Sequence, residues 1–294
     1  MAVLNSIRLF AVVLAFLGLC TQRAAAEVLY GADGGGGNPD TNLYTLNPAT
    51  GAVVSTIGRI GFAVTGFAFH PLTGVLYGTT GAMSPVSPNS LIRINTTTGA
   101  GTLVGPHGDG PVADIAFRAD GTLFGWSEGS DDLVTINTAT GVLTIVADSG
   151  LGTFGDGMSF SRAGILFYCG EGNDGKLRTV NTATGLTTDV ATLSGSPGEA
   201  GDAISAAAFN SAGTFFAVDL KSTRGGSGAA FLVTIDTTTG AITNVGATVN
   251  GLDAIAFSSA PGGPSAPALS EWALFVLMVL LGSIGVRLAR RRSL

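Results

Sequence analysis

The chain has 294 residues, 46% of them hydrophobic and 12% charged, with 45 glycines and a formal net charge of −6. It holds enough apolar material to bury a core, and with one cysteine beyond residue 26 it has no internal disulfide to rely on. With both ends set aside, eight Lys and Arg face nineteen carboxylates, a charge near −11, which argues against nucleic acid as a partner because a phosphate backbone needs a basic surface.

Residues 1 to 26 read as a signal peptide. Arg8 is the positive flank, Leu9 to Cys20 is a twelve-residue apolar run, and Ala24, Ala25 and Ala26 are the small residues a signal peptidase accepts, so the mature chain is expected to begin at Glu27. Leu19 stands before Cys20 where a lipoprotein signal would need a small residue.

From residue 27 to 259 the sequence repeats itself. "EVLYGADG" (27 to 34) predicts a first strand, and then one pattern recurs five times: "LYTLNPATG" (43 to 51), "LIRINTTTG" (91 to 99), "LVTINTATG" (133 to 141), "LRTVNTATG" (177 to 185) and "LVTIDTTTG" (232 to 240). Each begins with the alternation of a half-buried strand. Each then turns on Asn47, Asn95, Asn137, Asn181 or Asp236, whose side chain can accept a backbone N–H two residues on. Gly51, Gly99, Gly141, Gly185 and Gly240 close the turns, as a longer hairpin loop with a bulge requires. Between them lie "FAFHPLTGVLYG" (67 to 78), "IAFRADGTLFG" (115 to 125), "MSFSRAGILFY" (158 to 168) and "AAFNSAGTFFA" (207 to 217), each predicting two more strands around a fixed Phe. Cys169, at the end of the apolar run "ILFYC", reads as a buried strand residue rather than a nucleophile.

Glycine spacings of 48, 42, 44 and 55 residues are those of propeller blades with four strands, A to D. The first segment matches a B strand, and "LDAIAFSS" (252 to 259) matches an A strand. The expected fold is therefore an all-β five-bladed propeller closed by pairing Ala254 to Ser258 with Val28 to Gly31, and a solenoid with end caps is the alternative. Over residues 27 to 259 the repeats resemble the YVTN-like propellers of bacterial cell-surface proteins. That resemblance implies an architecture and no particular activity.

Fifteen of the nineteen carboxylates map to loops on the D-to-A and B-to-C face. These serve either as turn formers or as oxygen ligands for Ca²⁺, with Asp109, Asp114, Asp131 and Asp132 the candidate ligands. On this reading the acidic face, rather than the face with the Thr-Gly turns, meets the partner. His70 and His107 are expected on opposite faces, which disfavours zinc. Asp114, Asp156 and Asp253 could imitate the paired carboxylates of a propeller glycosidase, and Trp126 could stack a sugar or simply pack. No position is singled out as catalytic, and no Gly-x-Ser-x-Gly elbow is present.

Residues 260 to 268 are a Pro- and Gly-rich linker, and residues 269 to 294 combine an uncharged apolar run, Ala273 to Val286, with a basic end, predicting one hydrophobic helix that spans a membrane. "PALSEWALF" followed by this run and Arg290, Arg291 and Arg292 resembles the IPTL-CTERM sorting signal, a relative of PEP-CTERM, with Pro267, Leu269, Ser270, Glu271 and Trp272 matching and Ala266 and Ala268 departing from its Ile and Thr. The resemblance implies a Gram-negative host, an exosortase-type processing enzyme and delivery to the outer surface. Together these features lead to an exported, surface-sorted, non-catalytic binding or extracellular-matrix module linked to envelope or biofilm polymer, whose partner would be an envelope polysaccharide or surface protein. A carbohydrate-active propeller and a plain membrane-anchored periplasmic propeller are the alternatives.

Overall fold

The computed structural model describes residues 27–35, 38, 41–152, 155–170, 175–195, 203–221 and 228–258. The expected leader, linker and C-terminal hydrophobic helix, with Pro267, Leu269 to Trp272 and Arg290 to Arg292, lie outside the described residues.

Twenty strands form five four-stranded antiparallel sheets. Blade 1 runs from the axis outward as β20 (Ala254–Phe257), β1 (Leu29–Ala32), β2 (Asn42–Leu46) and β3 (Val53–Arg59). Blade 2 is β4 (Val64–Phe69), β5 (Leu76–Thr80), β6 (Ser90–Ile94) and β7 (Gly101–Pro106). Blade 3 is β8 (Val112–Phe117), β9 (Leu123–Ser127), β10 (Asp132–Ile136) and β11 (Leu143–Ala147). Blade 4 is β12 (Gly155–Phe160), β13 (Leu166–Gly170), β14 (Lys176–Val180) and β15 (Thr187–Thr192). Blade 5 is β16 (Ala203–Phe209), β17 (Phe215–Leu220), β18 (Ala230–Ile235) and β19 (Ile242–Ala247). The innermost strands touch one another in the ring order β20, β4, β8, β12, β16 and back to β20.

The ring closes as the two unmatched ends predict. Leu29 pairs with Phe257 and Ala32 with Ala254, and the Val28 N–H donates to Ser258 Oγ at 2.9 Å just beyond the last pair. Pairing the two ends leaves no open blade edge at the seam.

Apolar packing is divided into five wedges, one between each pair of adjacent blades. An aromatic bracket recurs in all five. The fixed Phe of each inner strand packs on an aromatic residue from the second strand of the preceding blade: Phe69 on Tyr30, Phe117 on Tyr77, Phe160 on Phe124, Phe209 on Phe167 and Phe257 on Phe216. Ring centroids lie 5.2 to 5.6 Å apart with the planes inclined by 57 to 62°, the tilted geometry that the ring quadrupole favours by about 0.5–1.5 kcal/mol per pair beyond area burial.

The recurring turns have the predicted chemistry and a second role. In each, the carbonyl of the first residue accepts the N–H of the closing glycine at 2.8 Å. The side chain of Asn137 also accepts the N–H groups of Ala139 and Thr140, and Asp236 does the same for Thr238 and Thr239. A Cβ on Gly141 would lie 2.2 Å from the Gly105 carbonyl oxygen, because the turn of blade 3 rests on the outer strand of blade 2. The same close approach joins Gly99 to Gly58, Gly51 to Gly246, Gly185 to Ala147 and Gly240 to Thr192. The turn recurs five times because each copy seats one blade on the next.

Candidate functional site

Five inner strands arranged around an axis expose their free edges to it, and unpaired backbone groups there need partners. Side chains from neighbouring blades supply several. Thr65 Oγ1 donates to the Val112 carbonyl at 3.2 Å, the Phe209 N–H donates to Ser159 Oγ at 3.1 Å, and Ser205 Oγ donates to the Leu252 carbonyl at 3.2 Å. Four of the five inner strands carry a register shift near this level, and a bulge re-aims the side chains beside it.

Asp114 is the largest of these connectors. It occupies the third position before the fixed Phe, where the other blades have Gly66, Gly157, Ala206 and Ala254. Its Oδ1 accepts the Ile115 N–H at 2.8 Å and its Oδ2 the Met158 N–H at 2.9 Å, and the Ala207 N–H adds a third bond. Burial drives its carboxyl well above the usual range; the three N–H donors oppose that rise, and the nearby Asp253 adds to it. A Cβ on Gly66 would come within 2.4 Å of Asp114 Oδ1, so this small neighbour makes room for the carboxyl.

One residue further along each inner strand, a cavity of about 540 Å³ begins. Its deep wall is Phe67, Ile115, Met158, Ala207 and Ile255, and the five bracketed Phe residues line it nearer the mouth. Pro71, Ala119, Ser161, Arg162, Asn210 and Ser211 form the rim, all from loops between the first and second strands of a blade. The funnel thus opens on the end of the inner strands opposite the acidic loops. Its volume falls within the usual range for small-molecule sites, and its lining is mainly apolar.

Two charged side chains line this mouth. Glu27 is held by Ser211, which donates its N–H to both carboxylate oxygens and its hydroxyl to Oε2, each at 3.0 Å. Arg162 is exposed and has no hydrogen-bond or ion-pair partner among the described residues.

The expected metal ligands are distributed differently. Asp131 and Asp132 are adjacent, and the Asp131 carboxyl is raised by burial and then by the Asp132 charge. Asp132 accepts the Ser149 N–H at 3.2 Å, Asp109 is exposed in a loop, and Asp114 sits on the axis. Among the described residues no group of three His, Cys, Asp or Glu side chains could hold a metal ion. Other loop carboxylates serve as local acceptors: Asp33 takes the Asn42 N–H at 2.7 Å and the Tyr44 hydroxyl at 3.0 Å, and Asp148 takes the Gly150 N–H at 2.8 Å. Asp40, Glu171, Asp174, Glu199, Asp202 and the side chain of Asp156 lie outside the described residues.

Trp126 is buried and stacks on Tyr168 at 4.1 Å between blades 3 and 4, so it packs rather than offering a face to a sugar. Cys169 is a buried strand residue, as expected. His107 is buried with Nδ1 3.0 Å from the Gly141 carbonyl, and burial lowers its pKa; His70 rests on Phe117 at 4.8 Å.

The tail of the chain matches the IPTL-CTERM motif over residues 264–292. Among solved structures, the chain is similar to one in the crystal structure of a nidogen/laminin complex, with 15% identity, a TM-score of 0.54, and coverage of 80% of this chain and 99% of that one. It is also similar to a protein of unknown function from Bacteroides thetaiotaomicron VPI-5482 (13% identity, TM-score 0.48, 76% and 65% covered) and to another from Bacteroides caccae (11%, 0.47, 80% and 99%). No curated protein matches the sequence. Likeness at these identities concerns the fold alone, and the motif suggests an exported, envelope-associated protein processed by a sorting enzyme of the exosortase type. The chain is a five-bladed β-propeller that carries the IPTL-CTERM motif at its C-terminus.

Proposed function

We propose that this protein is an exported, surface-sorted propeller that acts as a non-catalytic binding module, taking an apolar guest into the phenylalanine-lined funnel. The observation that carries the reading is the funnel itself: a cavity of about 540 Å³ with an apolar wall, next to the buried Asp114 carboxyl on the axis. Burying an apolar guest there gains roughly 25 cal/mol per Å² removed from water. The two charged groups of the lining stand at the rim, away from the deep wall, so binding rather than bond-making is the chemistry this geometry supports.

The tail supplies the setting. A signal peptidase releases the leader, and an exosortase-type enzyme in a Gram-negative envelope acts on the motif, delivering the propeller to the cell surface or extracellular matrix. Envelope polysaccharides and surface proteins carrying apolar substituents are the natural source of a guest. Titration calorimetry with 1-octanol tests the binding reading: it should show saturable heat for one site per chain, with a negative heat-capacity change from apolar burial. Absence of saturable heat up to the solubility limit would refute it.

A further inference from the structure

The charges at the funnel mouth narrow the class of guest, on the reading that the funnel binds at all. Of the two charged side chains in the lining, Glu27 already has its carboxylate held by two donors of Ser211, whereas Arg162 has no hydrogen-bond or ion-pair partner among the described residues. The nearby cation Arg118 is paired with Asp120 at 2.7 Å and presents little free charge. The mouth of an acidic protein therefore displays one uncommitted guanidinium beside an apolar shaft. A guanidinium presents several N–H donors in a planar fork that matches a carboxylate, sulfate or phosphate oxygen pair.

We infer that the funnel takes a single-chain amphipathic anion, an acyl carboxylate, with its chain against the phenylalanines and its head group on Arg162. The deep wall includes Met158, whose unbranched side chain adapts to a flexible guest, and Ala207, where the equivalent strands have Phe67, Ile115 and Ile255.

The full chain in nanodiscs of zwitterionic lipid would be titrated at low salt with octanoate, 1-octanol and octyltrimethylammonium, which share one chain length and differ in head charge. Octanoate should bind about tenfold tighter than octyltrimethylammonium, with the preference shrinking as salt is added. The α-ammonium of Glu27 in the mature chain stands at the same mouth, so Arg162→Ala should remove most of the preference rather than all of it, and Arg162→Lys should keep most of it. Equal binding of the two ions by the unaltered protein, or a preference undiminished in Arg162→Ala, would overturn the anion assignment while leaving the funnel reading in place. Failure of all three probes to bind would remove the funnel reading as well.

Discussion

The claim that the turns seat one blade on the next predicts that two glycines with the same backbone conformation respond differently to alanine. Gly141 has φ of 80° and Gly164 has φ of 78°, so a Cβ costs each about 1–2 kcal/mol for the left-handed region alone. At Gly164 the added methyl meets nothing within 4 Å, whereas at Gly141 it would sit 2.2 Å from the Gly105 carbonyl oxygen and 2.6 Å from the Gly105 carbonyl carbon. Backbone must move to relieve that overlap, adding about 1–3 kcal/mol, a cost typical of overpacking. Gly164→Ala should thus lower stability by roughly 1–2 kcal/mol and Gly141→Ala by about 2–5 kcal/mol. For a domain of this size each kcal/mol corresponds to about 2–4 °C in melting temperature. Urea and thermal unfolding of the full chain would measure both. Equal losses would mean that the turn glycines serve their own hairpins only and that the seating is elsewhere.

Other outcomes follow from the same geometry. Asn137→Ala removes the acceptor of two turn N–H groups and should cost about 1 kcal/mol in unfolding experiments, with Asn95→Ala similar because Asn95 also holds two. Since the folded state raises the Asp114 pKa, its contribution is fully present below the ordinary carboxylate pKa and is lost as pH rises through the folded value; melting temperatures measured across this range should show that decline, and Asp114→Asn should flatten it. Asp189 and Asp236 have lowered pKa values, chiefly from the hydrogen bonds of Lys176 and of the Thr239 N–H, so their contributions run the other way and fade as pH falls through the carboxylate range. Phe167→Ala breaks an aromatic bracket between blades 4 and 5 and should cost about 3–5 kcal/mol by denaturant unfolding. Intact-mass analysis of envelope protein should find a chain ending near Trp272, and retention of Arg290 to Arg292 would leave the tail a simple anchor.

Much of the ring was legible because each blade restates its turn chemistry in the residues themselves. Asn137 and Gly141 have local mechanical reasons to stand four apart, and the unmatched strands at the two ends could pair only with each other. The aromatic bracket was visible in principle: Tyr30, Tyr77, Phe124, Phe167 and Phe216 hold one position in the second strand of every blade, but only packing shows that they meet the following blade's Phe. The seating of the turns has a fainter trace, the small residues Gly58, Gly105, Ala147, Ala191 and Gly246 in the outer strands.

The funnel was harder to see because it belongs to no single repeat. Five strands contribute one wall each, and which mouth is deep depends on how the inner ends converge. Its best sequence signal was a departure from repetition: Asp114 stands where every other blade has Gly or Ala. On the opposite, acidic face, Asp33, Asp132 and Asp148 accept backbone N–H groups, the turn-forming use that the sequence offered beside cation binding.

The central claim is that a guest enters the funnel, and the side chain best placed to report it is Met158. This residue lines the deep wall and is almost fully buried, whereas Met83 lies 67% exposed outside the lining and provides an internal control. With ¹³C-labelled methionine methyl groups, titration with octanoate should shift the Met158 resonance in a saturable manner and leave Met83 in place. A Met158 resonance that stays fixed throughout the titration would contradict the account.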